Sequence, residues 1–416
     1  MRPLPVHIAL LTALATASPA AAQRLAITHA QAWTQQSPTP LADATIVVED
    51  DRIVSVQAHG AVPDGATVID AAGRTVTPGF MNAATQIGLT EVVSAHDTRD
   101  AAALGDVFGA SFDVSLGLNP NSTLVELARS DGITRAESFP AQSAVAPFSG
   151  QAATLRLRSG PDILDRPRTA LFAVIGGGAW PKTVGSRAAQ WGLLRAALDE
   201  AKVKGPADGP RILNRRDAAV VRQVADGSLP LAIVTYRESD IREAVRLAND
   251  YRIKVVIVGA AEAWRAADAL AAAHIPVVLD PENNLPRTFD QLGSRQTSAA
   301  LLAKAGVTIA FGLVGGPLNE NYNAGLALRE AAGLAVANGL PYAEALKALT
   351  VNPIAIWRRG APAGAIAPGQ QADLVMWDGD PLEPSTNAVA IIVEGKPVPL
   401  ETRQDALARR YRTVGR

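Results

Sequence analysis

The middle of the chain alternates short apolar runs with segments of helical periodicity, and this alternation constrains the fold more than any other feature. The apolar runs are rich in β-branched side chains, as buried strands are. They are Ile133–Glu137, Thr169–Ile175, Pro230–Thr235, Lys254–Val258, Ile275–Leu279 and Val307–Gly312. The helical segments are Ser122–Arg129, Gln190–Lys202, Arg215–Ala225, Asp240–Tyr251, Ala261–Ala273 and Ser298–Ala305. Alternating strands and helices predict an α/β protein with a parallel sheet. With a further run at Phe80, the set approaches the eight strands of a (β/α)8, TIM-like barrel.

Both ends of the chain have a different, β-rich pattern in which strand-like runs are separated by turn residues. We therefore predict one small sheet domain formed from both chain ends, residues 23–77 and 364–400. The barrel is expected to occupy residues 78–363, and residues 401–416 are expected to form a basic C-terminal helix.

Residues 1–22 have the pattern of a secretory signal peptide. Arg2 supplies the positive start, residues 6–17 a short apolar core, and Ala20–Ala22 a small-residue cleavage site before Gln23. The core is too short to span a bilayer comfortably. We expect a cleaved leader and a protein exported to the periplasm.

Composition excludes several classes of partner. The net charge is -1, which gives no electrostatic reason to expect nucleic acid or an anionic membrane surface. No segment after the leader has the unbroken apolar length of a membrane span. The chain has no cysteine, so disulfides and thiolate metal sites are excluded.

Residues 75–88 read Thr-Val-Thr-Pro-Gly-Phe-Met-Asn-Ala-Ala-Thr-Gln-Ile-Gly. This segment resembles the end of the first barrel strand in the amidohydrolase superfamily, where Pro-Gly, two apolar residues, Asp and a small residue precede His-x-His. Gly132–Thr134, Thr350–Pro353 and the Pro-Gly-Gln-Gln-Ala-Asp-Leu-Val run from Pro368 are also similar to imidazolonepropionase-like members. The resemblance implies a TIM barrel with a composite β-sandwich. It also implies divalent metal ions held by histidines and an aspartate, and hydrolysis of amide-like C–N bonds.

The positions that the resemblance assigns to metal ligands carry residues that bind zinc poorly or not at all. Neutral or apolar side chains stand in the vacant slots, which are Ala84, Gln86, Val234, Tyr236, Gly259 and Val314, with Leu313 as the alternative to the last. We therefore expect no metal or other cofactor. Zinc or another divalent metal is expected only if the chain is a working hydrolase.

Other polar residues are expected near the barrel mouth. The weak catalytic candidates, each able to act as an acid or base, are His96, Glu91, Glu137 and Glu262. The candidate ligand-binding residues, several of them in amide-rich loops, are Gln86, Tyr236, Arg237, Asn283 and Asn319. Such loops also arise from ordinary turn chemistry, because Asn and Asp favour turns.

Three functions remain open. The chain is a metal-free pseudoenzyme that pairs with a catalytically complete relative or with itself, or it hydrolyses amide, cyclic amide or dipeptide-like C–N bonds with a carboxylate base or a partner's metal. Alternatively, it is a periplasmic module that binds a small polar ligand.

Overall fold

The computed structural model describes residues 24–103, 105, 107–143, 147–176, 185–203, 211–282, 286–314 and 322–412. The strands are β1 Arg24–Ala32, β2 Leu41–Glu49, β3 Arg52–Ala58, β4 Thr67–Asp70, β5 Thr75–Pro78, β6 Phe80–Thr85, β7 Ile133–Ser138, β8 Phe148–Gln151, β9 Ala153–Arg156, β10 Leu164–Arg166, β11 Leu171–Val174, β12 Leu231–Thr235, β13 Val255–Gly259, β14 Val277–Leu279, β15 Ile309–Phe311, β16 Leu374–Trp377, β17 Ala388–Val393 and β18 Lys396–Pro397.

The helices are α1 Thr123–Ser130, α2 Arg187–Lys202, α3 Arg215–Ala225, α4 Glu238–Tyr251, α5 Ala267–Ala272, α6 Ser298–Lys304, α7 Leu326–Ala337, α8 Tyr342–Leu349, α9 Val351–Trp357 and α10 Arg403–Tyr411. Short 3₁₀ helices lie at His96–Thr98, Val114–Leu116, Ala263–Ala266 and Phe289–Gln291. None of the helices in the described residues is long and apolar enough to cross a membrane.

Strands from both chain ends form one sheet. Its order is β18-β17-β16-β5-β1-β2-β3, and β4 pairs with β1. The junction is β5, which pairs in parallel with β1 and antiparallel with β16, where Thr77 lies opposite Val375. One face of the sheet buries an apolar core that includes Ile27, Ile46 and Leu374. The exact domain boundaries stay a prediction.

The remaining strands form a TIM-like barrel. Strands β11 to β15 are parallel neighbours, and β6 and β7 form a second parallel pair. The Leu313 amide, just after β15, donates to the Ala84 carbonyl of β6 at 2.9 Å and so joins the last parallel strand to the first. The short apolar runs therefore become barrel strands as predicted, because their side chains are buried on both faces of a parallel sheet.

Between β7 and β11 the barrel departs from strict strand-helix alternation. Between β7 and β11 the wall is built by β8 and β9, which pair antiparallel with β11 and β7 respectively. The Ala152 amide between them donates to the Ala170 carbonyl at 3.0 Å, which keeps the wall continuous. This antiparallel segment was not predicted from the sequence.

A buried charge network joins the barrel to the sheet of both chain ends. Arg135 of β7 contacts Asp165 of β10 at 3.0 Å and Asp373, next to β16, at 2.7 Å. Arg156 of β9 also contacts Asp165, at 3.3 Å, and Arg358 makes a third contact with the same carboxylate. The Arg135, Arg156 and Asp165 side chains are 3%, 6% and 10% exposed. Their charges are therefore stabilised by one another and not by water.

Trp377 of β16 is fixed at the same boundary. Its indole Nε1 donates to the Thr77 hydroxyl at 2.9 Å, and its ring stacks on Phe80 with centroids 5.3 Å apart. The Arg329 guanidinium lies 4.7 Å from the indole ring centroid. Contacts on several sides leave this fully buried ring little freedom to move.

Candidate functional site

The carboxyl ends of the barrel strands are where a TIM barrel carries its site, and here an apolar cluster lies among them. We call the following buried set the mouth cluster: Ala84, Val234, Val258, Val278 and Val314. The Tyr236 ring packs against it. Ala84, Val234 and Val314, three of the six positions predicted to lack a metal ligand, thus belong to the mouth cluster. Tyr236, at a fourth such position, packs against it. The alternative last slot, Leu313, is buried in the neighbouring core.

The slot at Gly259 is filled by a neighbouring side chain. Gly259 ends β13 with φ +90°, and a Cβ built on it would lie only 2.6 Å from the Tyr236 ring. An imidazole at this position would require the ring to leave. A Cβ on Gly312 would likewise lie 2.8 Å from the Ala84 Cβ, so the first and last barrel strands approach closely at the first slot.

The side chains at these positions do not provide the coordinating atoms that a zinc-like ion needs. Ala84, Val234, Gly259 and Val314 offer no side-chain donor, and the half-buried Gln86 offers a neutral amide. Within the part of the chain that the structure describes, no group of three or more His, Asp or Glu residues could hold a metal ion.

Glu137 is the most deeply buried of the predicted catalytic candidates. It lies in β7, is fully buried, and is contacted by the Thr154 hydroxyl at 2.7 Å and by the Thr169 hydroxyl. Burial raises the pKa of Glu137 to about 8, although both hydroxyls act in the opposite direction. The carboxyl is therefore protonated in the folded protein near neutral pH.

This burial predicts a pH dependence of stability. The ordinary pKa of a glutamate is 4.5, so between 4.5 and about 8 the folded chain keeps a proton that the unfolded chain releases. The free energy of unfolding should fall as pH rises through this window. Glu137→Gln removes the titrating group, and urea unfolding of both proteins from pH 5 to pH 8 should show a flatter dependence in the variant. Parallel dependences would contradict the assignment.

Glu262 and Glu91 each accept two hydrogen bonds from neighbouring segments. The buried Glu262 carboxylate accepts the amides of Glu238 at 2.9 Å and Gly293 at 3.0 Å, so it ties two loops together. Glu91 accepts from the Asn119 amide and from the hydroxyl of Ser122, the N-cap of α1, both at 2.9 Å.

The remaining predicted residues are His96, Arg237, Asn283 and Asn319. His96 is exposed in the 3₁₀ helix after β6. Arg237 donates to the Ser239 hydroxyl at 2.8 Å and lies 3.7 Å from Asp240, at the start of α4. Asn283 and Asn319 lie outside the described residues.

A small polar pocket lies beside the mouth cluster, at the ends of β12, β13 and β14. Its polar lining includes Tyr236, Asp280, Gln291, Arg295 and Ser298. Burial raises the pKa of Asp280 to about 7, and the nearby Glu282 carboxylate acts in the same direction. Gln291 and Arg295 were not predicted from the sequence, because they follow the strand at a distance and carry no motif.

Comparison with known proteins agrees with the fold. A model of the amidohydrolase family matches residues 266–398. A search of curated protein sequences finds no match. The chain is similar to an amidohydrolase from Thermotoga maritima MSB8, at 22% identity and TM-score 0.79, over 90% of this chain and 99% of that one.

Two further solved structures share the fold. One is a prolidase complexed with N-methylphosphonate-L-proline, at 17% identity and TM-score 0.58, covering 90% of this chain and 99% of that one. The other is an adenosine deaminase from Xanthomonas campestris with bound zinc, at 19% identity and TM-score 0.54, covering 93% and 97%. The family model matches the last third of the barrel and part of the sheet, and the solved structures share the fold of the chain as a whole.

Proposed function

We propose that this protein is a metal-free relative of the amidohydrolases that keeps the barrel for binding a ligand or a catalytically complete partner. The observation that carries the proposal is the mouth cluster. Apolar side chains pack where the superfamily resemblance expects metal ligands. Close-packed alkyl groups offer no lone pair to a cation, and placing an ion among them would carry the full cost of removing its water shell.

Metal content tests this proposal directly. The purified chain, exposed to excess zinc and then dialysed, should retain far less than one equivalent, because the slots supply no ligand set. The same sample should show no turnover of N-acyl amino acids or dipeptides. A histidine-complete amidohydrolase treated in parallel serves as the positive control. Retention of one or two zinc ions per chain would reject the proposal.

An exposed apolar patch supports the partner version of the proposal. Phe289 and Leu292, beside the polar pocket, are 87% and 63% exposed. Large apolar side chains that remain in water at a barrel mouth are typical of interaction surfaces. If the partner is a complete relative, that relative should co-purify with the wild-type chain and be lost when both residues are changed to serine. Light scattering of the chain alone would show whether it pairs with itself instead.

A second candidate function is hydrolysis of C–N bonds, the activity that the fold makes available. The observation that favours it is Asp280, a buried carboxyl in a pocket with a pKa of about 7, which suits a general base near neutral pH. If any turnover of N-acyl amino acids is detected, Asp280→Asn should abolish it. Activity that survives this change would exclude the mechanism.

We also propose that the chain is exported to the periplasm and that residues 1–22 are removed. These residues lie outside the described part of the structure, so the proposal rests on the leader pattern alone. N-terminal sequencing of the protein from a periplasmic fraction should begin at Gln23. An intact Met1 in that fraction would contradict cleavage.

A further inference from the structure

The polar pocket beside the mouth cluster contains more hydrogen-bond donors than its neighbours use. The Ser298 Oγ atom is buried and has no hydrogen-bond partner among the described residues. The Gln291 side chain accepts the Arg287 amide through Oε1 at 3.0 Å, which leaves its amide nitrogen to the pocket. A buried hydroxyl without a partner costs free energy, and a ligand atom bound next to Ser298 would offset that cost.

Arg295 supplies the charge in the same lining. Its guanidinium lies 4.7 Å from the Trp264 ring centroid, and no carboxylate in the described residues lies within ion-pair distance of it. Arg265 lies 5.0 Å from the same ring but does not line the pocket. Arg295 is exposed, and a guanidinium held against an aromatic ring can still donate its N–H groups to a planar anion.

From these contacts we infer that the pocket binds the carboxylate group of a small organic acid, with Arg295, Gln291 and Ser298 as donors. This inference deepens the ligand-binding part of the proposed function. A carboxylate is planar, can accept from a guanidinium and an amide together, and has a further lone pair for a hydroxyl. The cavity is narrow, about 20 Å³, so a ligand would insert only its head group and would leave the rest of the molecule outside.

Asp280 in the same lining makes this binding sensitive to pH. The charged groups around its carboxyl are Glu282, Arg287 and Arg295, and Tyr236 also faces the pocket. When Asp280 is protonated it tolerates a bound anion, and when it is ionised it repels one. Carboxylate binding should therefore be strongest below neutral pH and should weaken as Asp280 loses its proton.

Titration with N-acetylglycine, followed by NMR or calorimetry at constant ionic strength, tests the inference. We expect saturable binding at pH 6 and none of the neutral N-acetylglycinamide. Arg295→Gln should weaken binding about tenfold or more, the effect of one lost charge-assisted contact. Arg265→Gln is the matched control, since it removes a guanidinium from the same ring outside the pocket, and it should leave the affinity unchanged.

Two further variants keep the test decisive. Ser298→Ala should weaken binding several-fold without altering the fold, and Asp280→Asn should remove the decrease in affinity between pH 6 and pH 8. Equal binding of acid and amide, equal effects of the two arginine variants, or the absence of saturable binding would overturn the inference. None of these results depends on zinc retention, so a failure here is distinguishable from a failure of the metal-free proposal.

Discussion

Replacing Asp165 by asparagine is expected to lower the free energy of unfolding by about 3–5 kcal/mol, as the loss of one partner from a buried ion pair does. Its carboxylate contacts Arg135 at 3.0 Å, Arg156 at 3.3 Å and also Arg358. The amide that replaces it carries no charge, so three neighbouring guanidiniums lose their common counter-ion. Asp373 and Glu394 remain to neutralise Arg135 and Arg156, but the structure offers Arg358 no other ion pair among the described residues.

Urea unfolding of the wild type and the variant measures this effect. Arg24→Gln is the control, because it removes one member of an exposed pair with Glu49, whose side chains are 44% and 37% exposed. Exposed pairs contribute about 0–1 kcal/mol, so this change should be small. Similar losses for the two variants would show that the buried network does not stabilise the fold as described.

The second large effect is expected for Gly132→Ala. Gly132 has φ +88°, and a Cβ there would lie 2.2 Å from the Trp377 ring. The left-handed backbone costs alanine about 1–2 kcal/mol. The overlap adds a further 1–3 kcal/mol or so. The ring cannot easily move aside, because Thr77, Phe80 and Arg329 hold it in place.

Gly73→Ala separates these two contributions. Gly73 has a similar φ of +80°, but a Cβ there meets nothing within 4 Å. We therefore expect this control to lose only the backbone contribution, about 1–2 kcal/mol. Thermal unfolding of both variants is sufficient for the comparison. If Gly132→Ala lost no more stability than Gly73→Ala, the contact with Trp377 would not be tight.

The parallel strands could be predicted because burial on both faces leaves a clear apolar signal. The runs at Pro230–Thr235 and Lys254–Val258 become β12 and β13 with boundaries shifted by one residue or less. Helix α4 was recognised by its period, and the structure starts it at Glu238. The helix expected over residues 261–273 is instead a 3₁₀ turn followed by the short α5.

The antiparallel segment escaped prediction because its strands lack that signal. Strands β8 and β9 read Phe-Ser-Gly-Gln and Ala-Thr-Leu-Arg, and their polar side chains are nonetheless buried. Arg156 and Thr154 are buried because they face Asp165 and Glu137, which lie elsewhere in the sequence. A burial that depends on distant partners is not visible in a local pattern.

The candidate site, like the fold, could be predicted from the sequence only in part. Ala84 and Gln86 were assigned to one pair of ligand positions by the resemblance at residues 75–88, and the structure places Ala84 in β6 and Gln86 just after it. The packing of Tyr236 over Gly259, and the unpartnered donors around Asp280, arise only when β12, β13 and β14 lie side by side. These features depend on tertiary contact, and no periodicity encodes them.

The sheet shared by the two chain ends has a consequence for synthesis. Thr77 and Trp377, joined by a side-chain hydrogen bond, are 300 residues apart in the chain. While the ribosome makes the barrel, the early strands have an open edge at β5 that only the last segment of the chain can cover. Contacts of such long range form slowly, and an open edge invites pairing with other chains. The nascent protein is therefore most exposed to aggregation in the interval before β16 emerges.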